Sequence, residues 1–134
     1  MSPVTPVSVL VVEDFLPFRR FVLSTLATSM SDLKVTGEAS NGSEAVQKAV
    51  ELQPDLILLD IGLQGLSGID AARQIRTLVP RSNIIFLTQE SSADVIQEAL
   101  SLGAQGYVVK TKAASELLNA VEAVLLGKTF VSSI

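Results

Sequence analysis

Five polar residues stand where short apolar runs end: Glu13 and Asp14 after Val7–Val12, Asp60 after 56–59, Thr88 after 83–87 and Lys110 after 105–109. Their types define a narrow chemistry. Three carboxylates gathered at one edge repel each other and cost stability unless a cation neutralises them. Hard oxygen donors suit Mg²⁺, which takes one or two carboxylates plus a phosphate and keeps several waters. Lys110 supplies a point charge to pair with Asp60 and then with a phosphoryl oxygen, and Thr88 supplies a hydroxyl donor to another. Asp60 is then the nucleophile: its carboxylate attacks phosphorus to give an aspartyl phosphate, while the cation and Lys110 spread the developing charge. Singly, each residue has an ordinary reading. Asp14 could cap a helix, Asp60 could serve a turn, Thr88 could act as a cap-like hydroxyl and Lys110 could be a solvated strand end. Together they have none, because no structural role calls for three acids at one edge.

Convergence requires a fold that brings these run ends together. Val7–Val12 is β-branched and strand-like. The next segment has Pro17 suited to a first helical turn and apolar residues at 18, 21, 22 and 26, which is helical spacing. Leu33–Ala39 alternates and reads as a half-exposed edge strand. Asn41-Gly42-Ser43 starts a helix that ends before Pro54, and residues 55–60 hold a strand apolar on both faces, as a central parallel strand is. Gly62, Gly65 and Gly68 mark a loop, and Ser67 with Asp70 resembles a capping box for the third helix. A fourth strand at 83–87, a helix capped by Ser91 or Ser92 and stopped at Gly103, a fifth strand at 105–109 and a last helix ending at Gly127 complete the order (βα)×5. This is an α/β chain with a parallel sheet and helices on both faces. In such a sheet, ligands bind outside the carboxyl ends of the strands, where the five polar residues fall.

Composition narrows the chemistry further. The chain has 134 residues, one domain's worth, with 10 Lys plus Arg against 14 Asp plus Glu, and no Cys, His or Trp. Thiol catalysis, thiolate metal sites, disulfides and imidazole chemistry are all excluded. A net charge of -4 counts against direct nucleic-acid binding. With 48% apolar residues there is enough for a sizeable core. The longest apolar runs are far short of a membrane span, and no basic region precedes the first one, so the expected compartment is cytoplasmic, without a signal peptide.

The motifs Val-Leu-Val-Val-Glu13-Asp14, Asp55-Leu-Ile-Leu-Leu-Asp60, Gly65 and Gly68, Ile-Ile-Phe-Leu-Thr88 and Gly103-Ala-Gln-Gly-Tyr107-Val-Val-Lys110 resemble a response-regulator receiver domain of two-component signalling. The likeness runs from Val7 to about Gly127, with residues 1–6 as an N-terminal extension and 128–134 as a tail or the start of a linker. It implies a flavodoxin-like (βα)5 three-layer sandwich with a five-stranded sheet in the order 2-1-3-4-5. It also implies that Asp60 accepts a phosphoryl group from a partner histidine kinase or phosphotransfer protein, which supplies the histidine this chain lacks. Glu13, Asp14, Asp60 and the backbone carbonyl of Gly62 would hold Mg²⁺, and Thr88 and Tyr107 would form a switch pair. The family implies a switch, not an enzyme; such a chain assists only its own phosphoryl transfer and slow dephosphorylation.

Two further likenesses bear on output. Gly-Tyr-Val-Val-Lys110-Thr-Lys-Ala with Ser115-Glu116-Leu117, and the tail from Gly127, are similar to the subgroup whose receivers precede a helix-turn-helix module. This points to transcription as the output and to the input half of a longer regulator; on phosphorylation the face of strands four and five, or the first and last helices, would form a homodimer or dock the output module. The chain also departs from the family pattern. Thr111 follows Lys110 where Pro is frequent, and Gln64 replaces another frequent Pro. Gln89 stands where a small residue is usual, Glu90 adds an acid, and Gly62 puts no side chain over the phosphoryl group. Gly62, Gln89 and Glu90 flank the path of a hydrolytic water and are candidates for setting the phosphoryl lifetime. Three rivals differ in class. A stand-alone or unconventional receiver would bind protein with weak dependence on phosphorylation. A flavin-nucleotide protein would need a phosphate loop where Glu13-Asp14 repels one. A Mg²⁺ phosphatase with an aspartyl nucleophile would need a second Asp where Gly62 stands.

Overall fold

A computed structural model describes residues 6–29, 32–63, 65–89 and 92–132. The strands are β1 (Val7–Val12), β2 (Leu33–Ala39), β3 (Leu56–Asp60), β4 (Asn83–Thr88), β5 (Gly106–Val109) and β6 (Phe130–Val131). The helices are α1 (Leu16–Ala27), α2 (Gly42–Leu52), α3 (Gly68–Leu78), α4 (Ala93–Ser101) and α5 (Ala113–Leu125). One sheet in the order β2-β1-β3-β4-β5-β6 contains them all, and every pairing is parallel.

Period-two alternation sorts each strand between two apolar layers. Leu10, Val12, Ile57, Leu59, Ile84 and Phe86 face α2, α3 and α4, meeting Ala45, Ala49, Ala72, Ile75, Ile96 and Ala99. Val9, Val11, Leu56, Leu58, Ile85, Leu87 and Val108 face α1 and α5, meeting Val22, Leu26, Leu117, Ala120, Val121 and Val124. Burial on both faces explains why β3 is apolar throughout, while β2, at the edge, alternates between half-buried and exposed positions until Ala39. The three-layer sandwich is therefore as the sequence implies.

Local signals explain most helix starts. The Asn41 carboxamide accepts the Glu44 N–H at 2.8 Å, the Ser67 hydroxyl the Asp70 N–H at 3.2 Å, and the Ser92 hydroxyl the Val95 N–H at 3.3 Å. Of the two serines open as caps for α4, Ser92 does the work; Ser91, like Gln64 and Glu90, lies outside the described residues. α1 starts differently. Phe15 occupies its N-cap position without a side-chain bond, so Asp14 is not a cap. Gly68 has to be glycine, because a Cβ there would stand 2.1 Å from the Asp60 carbonyl oxygen.

The C-terminal segment departs from expectation. Residues 128–134 read as a tail or linker, yet Phe130–Val131 adds a sixth strand beside β5, giving six strands rather than five. The Phe130 N–H donates to the Gln105 carbonyl at 3.0 Å and the Ser132 N–H to the Tyr107 carbonyl at 2.8 Å. Ser132 is buried; its hydroxyl donates to Glu116 Oε1 at 2.7 Å and accepts the Val109 N–H at 2.9 Å. The physical reason is the open edge of β5, whose backbone groups need partners wherever they are shielded from water.

Candidate phosphoryl-transfer site

The strand order reverses at β1, which has β2 on one side and β3 on the other. A sheet of this kind opens a crevice at the carboxyl ends of the strands at such a point. Glu13 and Asp14 follow β1 there, and Asp60 is the last residue of β3. One carboxylate oxygen from each of the three lies within 4.8 Å of the others. Lys110 arrives from the end of β5, where a single 3-10 turn at Lys110–Lys112 carries the chain into α5. A cavity of about 490 Å³ opens over this cluster; its walls include Asp14, Gly62, Thr88, Gln89 and Lys110.

The three acids are not equivalent. Asp14 is exposed, Asp60 is 5% exposed and Glu13 is wholly buried. Sequence reasoning pairs Lys110 with Asp60; the structure gives it two partners and a shorter contact to the other one. Lys110 Nζ stands 2.6 Å from Glu13 Oε1 and 3.2 Å from Asp60 Oδ2. Glu13 Oε2 accepts the Phe15 N–H at 3.0 Å, and Asp60 Oδ1 accepts the Gly62 N–H at 2.9 Å. Burial pushes the Glu13 carboxyl above its ordinary range and the Asp60 charge adds to this, against the pull of the Lys110 ammonium and the Phe15 N–H. Burial also works against the Lys110 charge, but its bonds and attraction to Glu13 and Asp60 together outweigh that and hold the ammonium more firmly protonated than usual. One cation is thus shared by two buried acids while a third stands beside them, and the set has room and charge for a further cation of the hard, oxygen-seeking kind.

Of the residues singled out from sequence, Glu13, Asp14, Asp60 and Lys110 come together directly. Thr88, Gln89 and Gly62 line the same cavity. A Cβ on Gly62 would lie 3.7 Å from Asp60 Oδ1, in ordinary contact, so the glycine leaves open space above the carboxylate. Tyr107 lies three residues before Lys110 in β5 and is wholly buried among the side chains facing α2, α3 and α4; its ring points inward. Glu90 lies outside the described residues. Two residues of α1 escaped sequence reasoning. Arg19 Nη1 donates to the Glu13 carbonyl at 3.2 Å and to the Ala39 carbonyl at 3.5 Å, tying the end of β2 to the turn that carries the acids. Phe18 sets its ring against the Lys110 ammonium, 4.8 Å from Nζ to the ring centroid. Spacing assigns Phe18 to the apolar face of α1 and leaves nothing to indicate that this face also meets a cation.

Residues 9–122 match the family model described as the response regulator receiver domain. The chain belongs to that family. Among curated proteins it is 38% identical over 114 residues to the transcriptional regulatory protein LiaR of Bacillus subtilis (strain 168), covering 85% of this chain and 54% of that one. It is 35% identical over 116 residues to the response regulator protein VraR of Staphylococcus saprophyticus, covering 87% and 55%. The chain therefore spans about half the length of these relatives. Among solved structures, this receiver domain resembles a two-component response regulator of the LuxR family from Aurantimonas sp. SI85-9A1. The TM-score is 0.86 at 29% identity, over 94% of this chain and 89% of that one. It also resembles the response regulator domain of CheB from Thermotoga maritima, with TM-score 0.76 at 34% identity over 88% and 95%. The resemblance to a receiver domain, and within that family to the subgroup whose receivers precede a helix-turn-helix module, are both met. Among the described residues no helix is long and apolar enough to cross a membrane.

Proposed function

We propose that this receiver domain is the phosphoacceptor of a two-component phosphorelay and that Asp60 takes the phosphoryl group from a histidine kinase or phosphotransfer protein. The observation that carries the reading is the placement of Asp60: nearly buried, 3.2 Å from the Lys110 ammonium, and within 4.8 Å of two further carboxylates on the floor of an open cavity. Glu13, Asp14, Asp60 and the Gly62 carbonyl would hold Mg²⁺, which when bound neutralises the acids and the incoming phosphoryl oxygens.

The chain's own residues do the rest. An Asp60 carboxylate oxygen attacks phosphorus in line with the departing imidazole nitrogen. The P–O bond forms, the P–N bond breaks, and its electron pair stays on the imidazole. Lys110 passes from Glu13 to a phosphoryl oxygen, and the Thr88 hydroxyl donates to another. The new charge at Asp60 pulls on Thr88, in β4, and on Lys110, at the end of β5; Tyr107 follows by repacking against α4. Gly62, Gln89 and Glu90 set how long the acyl phosphate survives attack by water. The output is transcriptional, through a helix-turn-helix module in the longer native chain and a homodimer formed on phosphorylation. This receiver makes no direct nucleic-acid or membrane contact and acts in the cytoplasm.

Incubation with Mg²⁺ and acetyl phosphate, followed by intact mass, tests the reading. The parent chain should gain one phosphoryl group, and Asp60→Ala should gain none. No gain by the parent overturns the reading in favour of an unconventional receiver that acts as a protein-binding module.

A further inference from the structure

Lys110 has a third neighbour besides its two acids. The face of the Phe18 ring lies 4.8 Å from its ammonium. Phe18 is half-buried in the first turn of α1, packed against the core on the α1 and α5 side of the sheet. The Phe21 ring, one turn on, lies 5.5 Å away and tilted by 36°, which helps fix the orientation of Phe18. An aromatic face carries negative quadrupole charge and attracts a cation, so this ring is more than a filler of apolar space.

We infer that Phe18 is a positioning residue for phosphoryl transfer, holding the Lys110 ammonium at the Asp60 side of the cavity through its ring face. The inference rests on the phosphoacceptor reading above. Lys110 now makes its shorter contact to Glu13, at 2.6 Å, whereas the chemistry needs its charge beside Asp60, at 3.2 Å. The lysine stem is flexible and its ammonium is a point charge without directional preference of its own. Both carboxylate partners change allegiance during the reaction. Glu13 would help hold the divalent cation, and Asp60 would become the acyl phosphate. The ring is neutral, so it competes with neither event. It sits on a helix, so it stays in place while the ion pairs are exchanged. A leucine at this position would fill similar space against the core and offer no attraction to the ammonium.

The test compares Phe18→Leu with Phe18→Tyr and Phe18→Trp in the full chain, each checked for folding by thermal unfolding. Intact mass follows the rate of phosphorylation by acetyl phosphate at saturating Mg²⁺. Phe18→Leu should slow the reaction about three- to tenfold, the range of a partly desolvated cation–π contact, while the ring-retaining variants keep the parent rate. In a Lys110→Ala background, Phe18→Leu should have no further effect. Proton NMR of the unphosphorylated chain reads the contact itself: the Lys110 ε-methylene protons should be shifted upfield by the ring in the parent and in Phe18→Tyr, and not in Phe18→Leu. Equal rates for Phe18→Leu and the parent, equal slowing by Leu and Tyr, or the same slowing without Lys110 would each overturn the inference. So would absence of the ring-current shift, even in a chain that phosphorylates normally. A parent that shows the shift but gains no mass overturns the phosphoacceptor reading and the positioning role with it, and leaves only a structural contact.

Discussion

An aspartate stands just before strand β3 and another ends it, and the two behave as opposites. Asp55 enters the strand surrounded by donors. Its Oδ2 accepts the Ser8 N–H at 2.9 Å and the Ser8 hydroxyl at 3.1 Å, and its Oδ1 accepts Arg81 Nη1 at 2.9 Å. The Ser8 N–H, then Arg81, hold its carboxyl below the ordinary value of 3.8. Asp60 leaves the strand among other acids, with one Lys110 ammonium shared between it and Glu13. At the amino end the sheet uses a carboxylate to stitch β1, β3 and the approach to β4 together. At the carboxyl end it leaves carboxylates short of positive charge. That shortage is what binds: an acid whose donors are all supplied by the fold holds the fold, and a group of acids with too few partners awaits a cation and a phosphoryl group.

The sharpest way to break this contrast is to remove the shared cation. Lys110→Ala leaves Glu13 fully buried and Asp60 nearly so without an ammonium, and should cost about 3 kcal/mol, with Mg²⁺ restoring part of the loss. Chemical denaturation with and without Mg²⁺ measures both. A variant as stable as the parent in the absence of Mg²⁺ would mean the acids are not crowded. Ser132 offers an intermediate case, since it stands at the carboxyl end yet is fully partnered. Ser132→Ala deprives the Val109 N–H of its hydroxyl acceptor and should cost about 1–2 kcal/mol in the same assay. An unchanged midpoint would show that β6 contributes nothing to holding β5. Asp55→Asn should have the smallest effect, about 1 kcal/mol at neutral pH, because Asp55 is 39% exposed and solvent screens its pair with Arg81. Its pH dependence is the more telling readout. A carboxyl pKa lowered by folding adds stability that is fully present above 3.8 and is lost as pH falls through the folded-state value. The acid limb of the stability curve should therefore be shallower in Asp55→Asn than in the parent. Identical limbs would place the source of acid sensitivity elsewhere.

Much of this is legible in the sequence. The five run-end residues, the (βα)×5 order and the edge position of β2 all follow from local patterns, because strand and helix periodicities and capping residues act over a few neighbours. What escaped reading involves contacts between distant segments. Phe130–Val131 is too short to show a period, and it becomes a strand only because β5 offers it an edge. Phe18 obeys the spacing of an apolar helix face equally well whether it meets leucine or lysine. Glu13 and Asp14 are adjacent acids in sequence, and nothing in their spacing says which is buried. The backbone turn after β1 decides it, sending Glu13 under Lys110 and Asp14 toward solvent.

The sequence by itself determined which groups could react, since a chain without His or Cys that ends its strands in three acids, a threonine and a lysine has few chemistries open to it. The tertiary structure decided how those groups share charge. Residues 13, 60 and 110 meet only because parallel strands β1, β3 and β5 end at the same edge. Burial there raises the Glu13 carboxyl, and its ion pair with Lys110 is shorter than that of Asp60. Charge sharing of this kind depends on distance and dielectric, and neither exists until the chain has folded.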